Sequence, residues 1–242
     1  MSLIVVPLAG PDFYTKRFGI RPLYPFGKST LLQHVLSMRF WISGVTEGRN
    51  RLVFVLRELT PHTAVMIDFI KHHYPDAHTV VLDSITAGAP LSALAGVSLL
   101  NAPEEPVIVD LVDIYFDWGF DADNYFSANE QVDAVVPYFI STDAKFSYLV
   151  LDGTRVVKSR EKQCISENAS AGIYIFRNAV AYLRAVVYCI ENPEICRVGS
   201  ALFVCPTVNG IIEGGRDVAA FRVENVVPIS VIFHMDEIGG RL

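Results

Sequence analysis

The sequence predicts an α/β domain of three layers, in which a mixed, mostly parallel sheet is flanked by helices. Three observations carry this. The chain opens on a continuous apolar run, Leu3 to Leu8, of the kind that suits a strand covered on both faces. Segments of helical period then alternate with β-rich runs through about residue 118, the pattern of right-handed βαβ units. Finally, the stretch Glu105 to Trp118, EPVIVDLVDIYFDW, has an apolar body of Val107, Ile108, Val109 and Leu111 with carboxylates at Asp110 and Asp113. A carboxylate inside a buried strand is costly unless something pairs with it, so this strand is expected at a metal or ligand site, or else Asp110 caps a turn or meets a buried arginine.

Taken in order, the first strand closes on Ala9-Gly10-Pro11, and a polar and aromatic loop follows to about Gly27. Ser29 or Thr30 can cap a helix whose apolar positions Leu31, Leu32, Val35, Leu36 and Phe40 recur at helical spacing. A strand fits Leu52 to Leu56, a helix Thr63 to His73, and a strand Thr79 to Leu82. The small-residue segment after it becomes a helix from about Leu91, and the strand Pro106 to Val112 comes next. Beyond Trp118 the pattern turns antiparallel. Val132 to Ile140 and Phe146 to Leu151 read as strands, and Asp152-Gly153 is a two-residue hairpin signal leading to Arg155-Val156-Val157. Ala171 to Phe176 is a further strand, and Asn178 to Glu191 a helix stopped at Asn192-Pro193. Ala219 to Val223 and Val227 to Phe233 complete the expected strands.

The 242 residues suit one domain, and no repeat or linker divides its first half, about 1–118, from its second, about 119–242. Hydrophobic residues make up 51% and charged residues 19%, which excludes a disordered chain. The formal net charge of −6 and the absence of basic runs argue against nucleic acid or an acidic membrane as partner. Cys164, Cys189, Cys196 and Cys205 have no CxxC spacing, so they are expected to be reduced thiols of a cytoplasmic protein. The start, MSLIVVPLAG, lacks a basic leader and is too short to span a membrane.

In an open α/β sheet, ligands bind beyond the carboxyl ends of the parallel strands. Three loops leave such ends here. The first has Gly10, which permits close backbone approach, then Lys16, Arg17 and Arg21, which can meet phosphate oxygens. The second has Thr86, Gly88 and Ala89 before a helix, where backbone N–H groups can face a base or an anion. The third supplies Asp110 and Asp113, oxygen ligands of the kind Mg²⁺ accepts. Together they describe a nucleotide-phosphate and metal site. Gly27-Lys28-Ser29-Thr30 ends like a P-loop, but Pro22 stands where its first glycine is needed and no strand precedes it directly. Adjacent His72 and His73 point to different sides of a helix and make no ligand pair, and His234 beside Asp236 reads as a surface histidine.

The succession PLAG, RPLYPFGKSTLLQHVL, TAGAPLSAL and PVIVDLVDIYFD, followed by a Glu161-Lys162 pair ahead of GIYIF, resembles the sugar-phosphate nucleotidyltransferases. The resemblance implies a Rossmann-like fold of the nucleotide-diphospho-sugar transferase (GT-A) type. It also implies a reaction: a sugar-1-phosphate, or a similar small phosphorylated acceptor, attacks the α-phosphorus of a nucleoside triphosphate and releases pyrophosphate, with Mg²⁺. Such chemistry belongs to sugar-nucleotide and polysaccharide biosynthesis, and homo-oligomers are left open. By the same resemblance Leu8, Ala9 and Gly10 hold base and phosphates, with Arg17 a candidate for the arginine of the family's GGxGTR loop. Arg21 takes the position of a family lysine that offsets charge on the triphosphate. Thr86, Gly88 and Ala89 line the base or sugar side, while Glu161, Lys162 and Gly172 touch the sugar phosphate. Asp113 holds the metal, Asp110 supports it, and Asp236, or else Glu237, is the candidate second carboxylate. Where the family loop has GGxGTR, this chain reads Gly10-Pro11-Asp12-Phe13-Tyr14. That departure keeps two alternatives open: a catalytically degenerate nucleotide-sugar-binding protein, and a GT-A glycosyltransferase using Asp110 and Asp113 as a DxxD pair.

Overall fold

A computed structural model describes residues 1–99, 102–231 and 233. Its centre is a ten-stranded mixed sheet. From one edge to the other the strands are Asn168–Ser170, Ser147–Asp152, Arg155–Glu161, Asp217–Arg222, Val132–Ile140, Ile173–Phe176, Val107–Asp110, Leu3–Pro7, Arg51–Arg57 and His78–Leu82. Within this sheet the first-half strands pair with one another in parallel: Leu3–Pro7 lies between Arg51–Arg57 and Val107–Asp110, and His78–Leu82 adds to the outside.

Three layers follow from the period of two along each strand. Ile4 and Val6 pack with Leu31, Leu32, Val35, Met66 and Ile70 on one face. Leu3 and Val5 pack with Ala93, Val97, Tyr182 and Val186 on the other. Helices Leu31–Ser37 and Pro61–His73 therefore cover the first face, and Ala89–Val97 and Ala179–Glu191 the second. The cap predicted at Ser29 or Thr30 forms at Thr30, and Asn178 caps a second helix. Thr30 and Gln33 make a reciprocal capping box, and Asn178 Oδ1 accepts from the N–H of Ala181 at 3.0 Å. No helix among the described residues is long and apolar enough to cross a membrane.

The expected predominance of parallel pairing holds for the first-half strands only. Ile173–Phe176 runs antiparallel to both Val107–Asp110 and Val132–Ile140, and Ser147–Asp152 runs antiparallel to Arg155–Glu161. For the second pair connection length is the reason: Asp152-Gly153, with Gly153 at φ +61, is far too brief for a parallel crossover. Asn168–Ser170 and Ile173–Phe176 run in one direction, both antiparallel to Val132–Ile140. In contrast, Asp217–Arg222 returns parallel to Val132–Ile140 after three intervening α-helices, Ala179–Glu191, Pro193–Cys196 and Val208–Glu213.

Local expectations also shift. The Leu31 helix ends at Ser37, short of Phe40. The strand expected over Val227 to Phe233 occupies Glu224–Pro228 and leaves the main sheet to pair with a separate strand, Ile114–Asp117. Helices Ala122–Ala128 and Val208–Glu213 were not foreseen. Gly27-Lys28 turns a two-stranded hairpin, Pro25–Phe26 with Ser29–Thr30, so the P-loop-like ending cradles nothing.

Candidate active site

Beyond the carboxyl ends of Leu3–Pro7 and Val107–Asp110 lies a cavity of about 1050 Å³. It brings together most of the predicted site: the Leu8-Ala9-Gly10 turn, Arg21, the Thr86 to Ala89 loop and Asp113 from the first half, with Glu161, Lys162 and Gly172 from the second.

Asp113 is positioned by the two residues before it and the glycine opposite. Asp110, 0% exposed, accepts from Arg39 Nε at 2.7 Å, Arg39 Nη2 at 3.2 Å and Trp41 Nε1 at 3.3 Å. Its Oδ1 also accepts from the N–H of Val112 at 2.9 Å. That bond stabilises a left-handed turn at Val112, φ +50, which is unfavourable for a β-branched residue. The turn directs Asp113 into the cavity, and its carbonyl accepts from Ile229 N–H at 2.9 Å, tying down the segment after the last strand. Across from it Gly172 sits at φ +78, where a Cβ would stand 2.5 Å from Asp113 Oδ1.

The assignment of Asp110 to a metal is therefore corrected. Both its oxygens are committed to Arg39, Trp41 and Val112, so it supports the site from beneath and does not face a ligand. Asp236, Glu237 and His234 lie outside the described residues. Asp113 opens to the cavity yet has protein packed around it, and loss of hydration together with the neighbouring Asp110 raises its pKa to about 6. Among the described residues no set of three or more metal-ligating side chains is gathered.

In the part of the cavity formed by the second half of the chain, Glu161 is 7% exposed and takes a hydrogen bond from Ser147 Oγ. Burial raises its pKa to about 7, against the lowering effects of Ser147 and Lys162. Lys162, at φ +50, turns its chain out beside this carboxyl and rests Nζ 5.0 Å from the centre of the Phe203 ring. A carboxyl that holds its proton more tightly than usual, a lysine and an aromatic face thus share one end of the cavity. Phe203 and Ser147 were not anticipated from the sequence, because nothing in their spacing links them to the Glu-Lys pair.

The second loop is built by its own polar groups. Thr86 Oγ1 donates to the Gly88 carbonyl at 2.9 Å and lies 2.7 Å from Ser92 Oγ, so its hydroxyl shapes the helix start as well as lining the cavity. Gly88 has φ +142, and Leu202 packs directly on it, with the Leu202 N–H donating to Ala87 at 2.7 Å. In the first loop, Arg21 reaches the cavity, pairs with Asp12 and stacks 4.6 Å from the Phe233 ring centre. Arg17 does not line the cavity. It is exposed, with its guanidinium 5.1 Å from the Phe18 ring centre.

No protein-family model and no curated protein matches the chain. Solved structures do share its fold. The nucleoside-diphosphate-sugar pyrophosphorylase of Vibrio cholerae superposes with a TM-score of 0.77 at 17% identity, covering 97% of this chain and 98% of its own. The inositol-1-phosphate CTP transferase of T. maritima superposes with a TM-score of 0.66 at 12% identity, covering 94% of this chain and 87% of its own. The architecture is thus that of structures described as nucleotidyl-transferring enzymes, spanned over nearly the full chain.

Proposed function

We propose that this chain is a nucleotidyltransferase, which moves a nucleoside monophosphate from a nucleoside triphosphate to a sugar-1-phosphate or similar small phosphorylated acceptor. The fold it shares with a nucleotide-sugar pyrophosphorylase and an inositol-1-phosphate CTP transferase supports the reaction class. The observation that carries it is one cavity in which Arg21 and Asp113 face Glu161 and Lys162. A cation and a carboxylate suited to a triphosphate thus meet a lysine and a hydrogen-bonding acid suited to a phosphorylated polyol.

In this reading, an acceptor phosphate oxygen forms a bond to the α-phosphorus while the bond from that phosphorus to the pyrophosphate oxygen breaks. Charge builds on the departing pyrophosphate, and Arg21 offsets it. Lys162 holds the acceptor phosphate, and the Glu161 carboxyl meets acceptor hydroxyls. The Gly10 turn and the Gly88 loop orient the nucleotide against backbone groups. Mg²⁺ fits the site through Asp113 and the phosphates themselves, the mode in which that ion uses one or two carboxylates plus substrate oxygens. When bound it would polarise the α-phosphoryl group.

The glycosyltransferase alternative is weakened, because Asp110 is engaged by Arg39 and cannot complete a DxxD pair. The nucleotide-sugar-binding alternative is favoured by one feature, the divergent loop Gly10-Pro11-Asp12. Pyrophosphate release from a panel of nucleoside triphosphates and sugar phosphates with Mg²⁺ separates them. Turnover by any pair supports the transferase. Silence across the panel, with nucleotide sugars still raising the melting temperature, supports the binder.

A further inference from the structure

The first loop holds an acid where the proposed reaction needs a phosphate. Asp12 reaches back over Gly10, such that a Cβ built on that glycine would stand 2.9 Å from its Oδ1. Its other oxygen pairs with Arg21 Nη1. One carboxylate therefore spans the loop backbone and the guanidinium, the two groups a phosphate would contact if Arg21 serves the triphosphate.

The two partners are held very differently. Arg21 has a side-chain exposure of 26% and lies 4.6 Å from the Phe233 ring centre. Phe233 is itself fixed against Phe18 at 4.8 Å and Tyr24 at 5.1 Å. Asp12, at 69% exposure, has no comparable anchor among its described contacts. A fixed cation thus faces an anion that can swing into solvent. Ion pairs so exposed hold weakly, so an incoming multivalent anion can take over the arginine. Asp12 also lies close enough to Asp113 to help raise its pKa, which places it within electrostatic reach of the expected metal position.

From this geometry we infer that Asp12 is an internal stand-in for a ligand phosphate, which the nucleotide or pyrophosphate must displace from Arg21, and that it sets the anion affinity of the site. The inference rests on the nucleotidyltransferase reading, in that it takes the displacing ligand to be a phosphate chain. It predicts that the effect of Asp12 runs through Arg21 and is not a diffuse charge effect.

The test is calorimetric titration of inorganic pyrophosphate, and of nucleoside triphosphates with Mg²⁺, into the full chain, into Asp12→Asn and Arg21→Gln, and into the double variant. Asp12→Asn is expected to bind pyrophosphate about 5–20-fold tighter than the natural chain, and the same substitution made on Arg21→Gln to change affinity by less than about twofold, as coupled neighbours require. Equal binding by the natural chain and Asp12→Asn overturns the inference while leaving the nucleotide site standing. A gain that survives in the Arg21→Gln background also overturns it, because the acid then acts only through its field. If neither the natural chain nor Asp12→Asn binds pyrophosphate or any triphosphate, the transferase reading falls and this inference falls with it.

Discussion

Arg39 and Asp110, 71 residues apart, form a buried two-point ion pair, with Nε 2.7 Å from Oδ2 and Nη2 3.2 Å from Oδ1. Neither side chain is more than 1% exposed. Arg39 also donates to the Ile114 carbonyl at 2.8 Å and lies over the Phe116 ring, 4.8 Å from its centre. The pair thus joins the segment after the first helix to both flanks of Asp113.

Removing one partner leaves the other as an uncompensated buried charge. Arg39→Leu is expected to cost about 3–5 kcal/mol in denaturant unfolding, the range for broken buried pairs. Asp110→Asn, which leaves the guanidinium without its counter-charge, should be of the same order. An unchanged urea midpoint for either variant would contradict the observed pair.

Asp113 behaves in the opposite way. Its pKa is raised to about 6, so folding makes its charged form less favourable than that of an ordinary carboxylate, although that form still predominates at neutral pH. Relative to an ordinary carboxylate, it lowers stability increasingly as pH rises from about 4 to 6. Asp113→Asn is therefore expected to keep or slightly raise the melting temperature at pH 7.5 while abolishing Mg²⁺-dependent triphosphate binding. In the natural chain that binding should weaken below pH 6 by up to about tenfold per pH unit, because a proton then competes with the metal. Calorimetric titrations from pH 5 to 8 measure both effects, and metal-dependent binding retained by Asp113→Asn would exclude it as the ligand.

Glu161 titrates higher, at about 7, because burial outweighs the help of Ser147 and Lys162. The folded state holds this proton more tightly than the unfolded chain does, so the residue's contribution to stability declines as pH rises from about 4.5 through 7. Glu161→Gln keeps an acceptor for the Ser147 hydroxyl and carries no charge at any pH. It should raise the melting temperature at pH 8 and change it little at pH 5. The KM for a phosphorylated acceptor should climb between pH 6 and 8 in the natural chain, as negative charge appears beside the anion, and stay flat in Glu161→Gln.

Much of this arrangement was legible in the sequence, for reasons that particular residues make plain. Leu3 to Leu8, the Asp152-Gly153 turn and the caps at Thr30 and Asn178 are local signals, and the structure places an element at each. Asp113 could be singled out because it follows a recognisable strand, whereas Gly172 was singled out through the resemblance alone. The partner of Asp110 could not: an arginine 71 residues away has no sequence signature, although a buried arginine was among the expected outcomes. The antiparallel insertion of Ile173–Phe176 beside Val107–Asp110 was equally hidden, since strand order depends on tertiary packing and not on period. The place of Arg17 beside Phe18 was hidden too, because charge type alone does not fix where a loop turns.

Gly172 offers the sharpest test of how tightly Asp113 must be held. At φ +78 any L side chain is strained, and here a Cβ would also press on Asp113 Oδ1 from 2.5 Å. The two penalties can be separated with Gly153, which has φ +61 but nothing within 4 Å of a built Cβ. Gly153→Ala should cost about 1 kcal/mol from backbone strain alone and leave ligand binding unchanged. Gly172→Ala should cost about 1–3 kcal/mol, and also push Asp113 from its place, lowering kcat/KM by about 10–100-fold, since misplacing a group by an ångström carries losses of that order. Equal activity in the two alanine variants would mean that the carboxylate tolerates displacement, and that Gly172 is retained for its turn and not for its contact with Asp113.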